Sequence, residues 1–101
     1  MILIYIVCGN KKEADKIARA VLKKHLAVCA NIFPISSTYW WQGKLVSDKE
    51  VVLILKTIKK NFSKIKIEVK KLHSYQAPAI FSLAANQVDK KYNLWLRKNI
   101  I

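Results

Sequence analysis

Arginine is nearly missing from this 101-residue chain. Arg19 and Arg97 are the only examples among 19 basic residues, which face 6 acidic ones. Recognition of bases and phosphates leans on arginine's planar fork. A net charge of +13 carried almost wholly by lysine therefore argues against sequence-specific nucleic-acid binding. The lysines are spread over two helical patterns and a hairpin without forming a stripe, as on a solvated basic surface. Cysteine is scarce too: Cys8 and Cys29 make neither a disulfide framework nor a CxxC pair, so a reduced, cytoplasmic protein is the simplest reading. No apolar run approaches the roughly 18 residues of a spanning helix, and no membrane partner is expected. The apolar start stops after Cys8 and lacks a basic leader, reading as a strand and not as a targeting segment. Nucleophile elbow, HExxH, P-loop and GxGxxG are all absent. Glu50 is the sole acid inside a core-strand pattern, which leaves no paired-carboxylate site. The chain is not expected to be an enzyme.

What is present is a single domain, residues 1–101, with 52% hydrophobic residues, enough for one modest core. Ile2 to Cys8 is a short apolar, β-branched run closed by Gly9-Asn10, which predicts a buried strand. Ala14, Ile17, Ala18, Val21 and Leu22 then fall on one helical face, with Asn10 as N-cap and Glu13 placed as in a capping box. Val28 to Phe33 predicts a second strand, with Pro34 implying an edge, a bend or a bulge. Extended chain continues through Tyr39-Trp40-Trp41, turns at Gln42-Gly43 and returns as a strand ending at Thr57. A helix from about Lys60 to Leu72, a strand from Ala79 to Ala84 and a short last helix opened by Asn86 or Asp89 complete the order.

That order predicts an α+β, ferredoxin-like split βαβ sandwich, a four-stranded antiparallel sheet with two helices on one face. A long β-hairpin and a C-terminal helix extend it. The strands look apolar on both sides, although half-solvated sheets should alternate, so the uncovered face points to an oligomer. The three adjacent aromatics of the hairpin suit a partner subunit. Folding back over their own domain is the alternative.

Cys8 ends the first strand and His73 the second helix. Thiolate and imidazole both bind copper or zinc, but two ligands leave a site incomplete. This fold tends to put the end of the first strand and the start of the second helix on one rim. Cys8 and His73, on different rims, need not meet within one subunit, though they could across an oligomer interface. The plain alternatives are a small buried side chain for Cys8 and a helix terminus satisfied by a backbone carbonyl for His73. Tyr39, Trp41, Lys56 and Tyr75 suit an inter-subunit pocket for an anionic small molecule, or an aromatic interface over which Lys56 extends.

The stretches "AVCANIFPISSTYWWQGKLVSDKEVVLILKT" (27–57) and "HSYQAPAI" (73–80), with the closing Tyr92-x-x-Trp95-Leu96, resemble the CutA family of divalent-cation-tolerance proteins over essentially the whole chain. The resemblance implies a compact ferredoxin-like homotrimer, with Trp40, Trp41, Tyr92 and Trp95 at the subunit interfaces. It also implies a non-enzymatic role in divalent-cation tolerance and binding of a divalent cation, Cu2+ first. The implied metal ligands are Cys8 and His73, with Glu50 helping from the hairpin. Leu72, Ser74, Gln76 and Ala79 stand where relatives often carry a histidine, a proline and acids, which implies a more positive pocket. Two other roles stay open: a signalling trimer binding an anionic metabolite in its clefts, and a purely structural trimer.

Overall fold

A computed structural model describes all 101 residues. Strand β1 (Ile2–Cys8) alternates strictly, with Ile2, Ile4, Ile6 and Cys8 buried on one face of the sheet. Helix α1 (Lys11–Lys23) follows after two residues, and the Asn10 side chain accepts from the Glu13 N–H at 2.8 Å. Its buried stripe is Ala14, Ile17, Ala18 and Val21. The helix ends with the His25 N–H bonded to Leu22 O at 2.9 Å and the Leu26 N–H to Val21 O at 3.3 Å. This Schellman arrangement needs a left-handed residue, and His25 supplies it at φ 55°.

Strands β2 (Cys29–Trp41) and β3 (Lys44–Thr57) form one long hairpin. Gln42 (φ 50°) and Gly43 (φ 74°) make its turn, the doubly left-handed geometry that matches strand twist. The strand order β2-β3-β1-β4 puts β2 at an edge, where Pro34 costs the sheet least. After a 3-10 turn at Lys59–Asn61 come α2 (Phe62–Leu72), β4 (Ile80–Ala84) and α3 (Lys90–Asn99). Asp89 caps α3 by accepting from the Tyr92 N–H at 3.1 Å.

The result is the α+β, ferredoxin-like sandwich the element order predicts. Ile4, Ile6, Leu53 and Leu55 from the sheet meet Ile17, Val21, Ile65 and Val69 from α1 and α2 in one buried cluster. Each such side chain contributes roughly 1.5–3 kcal/mol. The opposite face carries Tyr5 stacked on Phe81 at 4.9 Å, with Phe33, Phe81 and Leu83 exposed.

Register sets the hairpin free of the sheet. β1 pairs with β3 only from Cys8↔Val51 to Ile2↔Thr57, whereas β2 follows β3 out to Trp41↔Lys44. Residues 35–41 and 44–50 thus form a two-stranded arm, and the molecule measures 46 × 27 × 21 Å.

Candidate metal centre and the hairpin groove

The chain direction of each element decides what meets at the rim where the arm leaves the sheet. β1 arrives there with Cys8, and α1 starts there with Glu13 in its first turn. β3 is antiparallel to β1, so it leaves this rim and ends at the other one. α2, which starts at that far rim, brings its C-terminal end back with His73, and β4 departs antiparallel to β1. Cys8 and His73 therefore meet within one subunit, contrary to the expectation of separate rims. That expectation paired the end of β1 with the start of α2, when it is the end of α2 that returns to Cys8.

Ligand atoms of Cys8, Glu13 and His73 all lie within 4.8 Å of one another. Cys8 is fully buried, and the side chains of His73 and Glu13 are 0% and 11% exposed. His73 Nε2 lies 2.7 Å from Val7 O; a carbonyl can only accept, so this nitrogen carries a proton. The Tyr75 N–H donates to His73 Nδ1 at 3.0 Å, so the single in-plane lone pair of Nδ1 is engaged by a backbone donor that a metal ion would have to displace. Glu13 Oε1 stands 3.4 Å from that nitrogen. Burial of Cys8 and the Val7 hydrogen bond are what packing alone would produce. The convergence of a thiol, a carboxylate and an imidazole nitrogen within 4.8 Å of one another goes beyond packing and is a donor set of the kind that holds a metal ion.

Electrostatics sharpen this. Burial, then the charges of Glu13 and Glu50, push the Cys8 thiol up to about 12. Burial is the largest single influence on Glu13 and opposes ionisation. Hydrogen bonds from the Ser74 side chain and the Gly9 N–H, with the electrostatic influence of the neighbouring His73 ring, outweigh it and hold that carboxyl below its ordinary range. The site thus offers a carboxylate, an imidazole nitrogen and a thiol that a metal ion must deprotonate. Such a sulfur, nitrogen and oxygen set suits zinc or copper. The Nε2–H bond to Val7 is the outer contact that orients a metal-bound imidazole.

Glu13 was read from sequence only as a capping residue. The tight β1–α1 connection was the available signal, since it puts the first helical turn beside Cys8. Its carboxylate reaches past Asn10 to the Gly9 N–H at 3.4 Å and the Ser74 N–H at 3.3 Å. Glu50, named from the resemblance as a ligand, is not in the cluster. Cys8 pairs with Val51, so alternation turns the neighbouring Glu50 to the opposite face of the sheet. There, nearly buried, it accepts from the Tyr75 hydroxyl at 2.6 Å.

On that opposite face, a groove of ≈ 720 Å³ is lined by Tyr39, Trp41 and Tyr75 with Asp48 and Glu50. Tyr39 donates to Asp48. Burial, the Glu50 hydrogen bond and nearby carboxylates push the Tyr75 hydroxyl up. Three of the four residues expected to share a pocket do so within one chain. Lys56 does not: it lies towards the other end of β3, its Nζ 5.7 Å from the centre of the Tyr92 ring. The groove accordingly carries acids and no lysine, the reverse of the positive pocket expected. Trp40, Trp41 and Trp95 are 74%, 60% and 45% exposed.

A family model described as CutA1 divalent ion tolerance protein matches residues 2–99. The divalent-cation tolerance protein CutA of Thermotoga maritima is 42% identical over 101 residues, covering 100% of both chains. The solved structure of the periplasmic divalent cation tolerance protein CutA from Archaeoglobus fulgidus superposes with a TM-score of 0.97 at 37% identity, again over 100% of both. CutA1 from Pyrococcus horikoshii superposes at 0.95 with 35% identity, covering 100% of this chain and 99% of that one. These proteins are named for tolerance of divalent cations and not for a reaction.

Proposed function

Because the chain belongs to the CutA1 family of divalent ion tolerance proteins, we propose that it binds a divalent metal ion, copper first, through Cys8, Glu13 and His73. The observation that carries this is the convergence of three ligand atoms within 4.8 Å, with the Glu13 carboxylate 3.4 Å from His73 Nδ1. Cys8 would supply the thiolate that favours copper or zinc over hard cations. Its role is tolerance of divalent cations by binding, with no catalytic step, in a reducing compartment, the cytoplasm, where both thiols stay free.

The working unit is a homotrimer. Support comes from the exposed Trp40, Trp41 and Trp95 and from the apolar sheet face around Phe81 and Leu83, more apolar surface than a small monomer usually leaves in water. Tyr92 belongs to the same assembly surface. The acids of the groove weigh against an anionic metabolite as its ligand.

Titration with copper(II), and with zinc as a redox-silent control, tests the reading by calorimetry. Each ion should saturate at a single site per chain, and His73→Ala and Glu13→Gln should weaken binding by roughly 10- to 100-fold. Unchanged affinity in both variants would remove the proposed ligands.

A further inference from the structure

Two of the candidate metal ligands also fasten the segment that follows α2. The Tyr75 N–H donates to His73 Nδ1 at 3.0 Å, and the Ser74 N–H to Glu13 Oε2 at 3.3 Å. Glu13 keeps its other oxygen, Oε1, beside His73, so it can serve both. His73 cannot: Nδ1 has a single in-plane lone pair, and Nε2 is committed to Val7 O at 2.7 Å. Tyr75 is in turn pinned at its far end. Its ring lies 4.8 Å from the His73 ring and over Gly9, where a Cβ would stand 3.4 Å from the phenol oxygen. Its hydroxyl donates to Glu50 Oε2 on β3 at 2.6 Å, a bond to a carboxylate and therefore of the stronger kind. One residue thereby ties the imidazole of the candidate centre to a nearly buried acid on the opposite face of the sheet.

We propose that Tyr75 gates the metal centre: its N–H competes with a divalent cation for the His73 Nδ1 lone pair, and the Tyr75–Glu50 bond holds the gate shut. Resting on the metal centre proposed above, this gate makes affinity depend on a residue that never touches the ion. By reciprocity, metal binding loosens Tyr75. A Tyr75 that merely supported the site would act with the opposite sign, because disturbing the contacts around a metal site weakens binding.

The test combines zinc titration calorimetry with amide hydrogen exchange followed by NMR, both on the intact protein. Tyr75→Phe and, separately, Glu50→Gln should each bind zinc about fivefold more tightly than the parent. Glu50→Gln removes a negative charge and Tyr75→Phe does not, so strengthening in both is not a charge effect. In the parent, zinc should speed exchange of the Tyr75 N–H about tenfold or more. The His73 N–H, bonded to Val69 O at 2.9 Å, should keep its rate. Zinc that saturates the parent without speeding Tyr75 exchange overturns the gate and leaves the metal centre standing. So does either variant, folded by circular dichroism, that binds zinc no more tightly than the parent. Zinc held through Nε2, read from the imidazole nitrogen shifts, also overturns the gate. A parent chain that binds no zinc overturns both gate and centre.

Discussion

His73 Nε2 donates to the carbonyl of Val7 at 2.7 Å, tying the end of α2 to the strand that carries Cys8. The bond fixes the ring so that Nδ1 faces Glu13, and it satisfies a backbone acceptor at the sheet rim. Replacing His73 with Ala should cost about 1–3 kcal/mol through the unpaired carbonyl and the lost packing. Urea denaturation of the metal-free protein measures this, and an unchanged midpoint would show the bond to be dispensable.

Cys8 makes stability and metal affinity depend on pH in opposite senses. Its thiol lies at about 12 in the folded chain against an ordinary 9.0. The folded state holds this proton more tightly, so the contribution is complete below about pH 9 and is lost as pH rises towards 12. Metal binding displaces that proton, so affinity should rise about tenfold per pH unit between pH 7 and 9. Cys8→Ala should flatten the alkaline loss of stability, read by thermal melts across pH.

Glu13 acts at the acid end. Its lowered value stabilises the fold above the ordinary 4.5, and that stability is lost as pH falls through the folded value. Glu13→Gln should cost about 1 kcal/mol at pH 7 and make the acid limb of a stability profile shallower. An acid limb identical to the parent's would contradict the role given to its Gly9 and Ser74 bonds.

How much of this was legible beforehand differs between fold and site. The period change after Asn10, the glycine turn at Gly43 and the stripe of Ile65 and Val69 carried the element order, because each is a local signal. Pro34 allowed an edge, a bend or a bulge, and the sheet order selects the edge. The site was harder, since it depends on which ends of α1 and α2 share a rim. Cys8 and His73 were singled out as possible ligands but placed on different rims. Glu13 looked like the second half of a capping box, but its carboxylate passes Asn10 to bond the Gly9 and Ser74 N–H groups and lies beside His73. Glu50 and Lys56 went astray for strand reasons: alternation turns Glu50 to the far face, and the length of β3 carries Lys56 away from the arm.

The turn of the arm gives a test of local geometry. Gln42 sits at φ 50°, where asparagine is better tolerated than other side chains. Gln42→Asn should stabilise by a few tenths of a kcal/mol, whereas Gly43→Ala, at φ 74°, should cost about 1 kcal/mol. Equal melting temperatures for the two variants would mean the turn is not held in this conformation.

Oligomerisation should respond to the exposed aromatics. Trp40→Ser combined with Trp95→Ser should lower the assembly's mass in sedimentation or light scattering, with the subunit fold retained by circular dichroism. A trimer of undiminished stability would move the interface elsewhere.

The most direct measurement is the position of anomalous scattering in crystals soaked with copper or zinc. The metal-centre assignment requires a peak within bonding distance of Cys8 Sγ, His73 Nδ1 and a Glu13 oxygen in every subunit. A peak on Asp48 or Glu50 with none at Cys8, or no ordered metal at all, would contradict it.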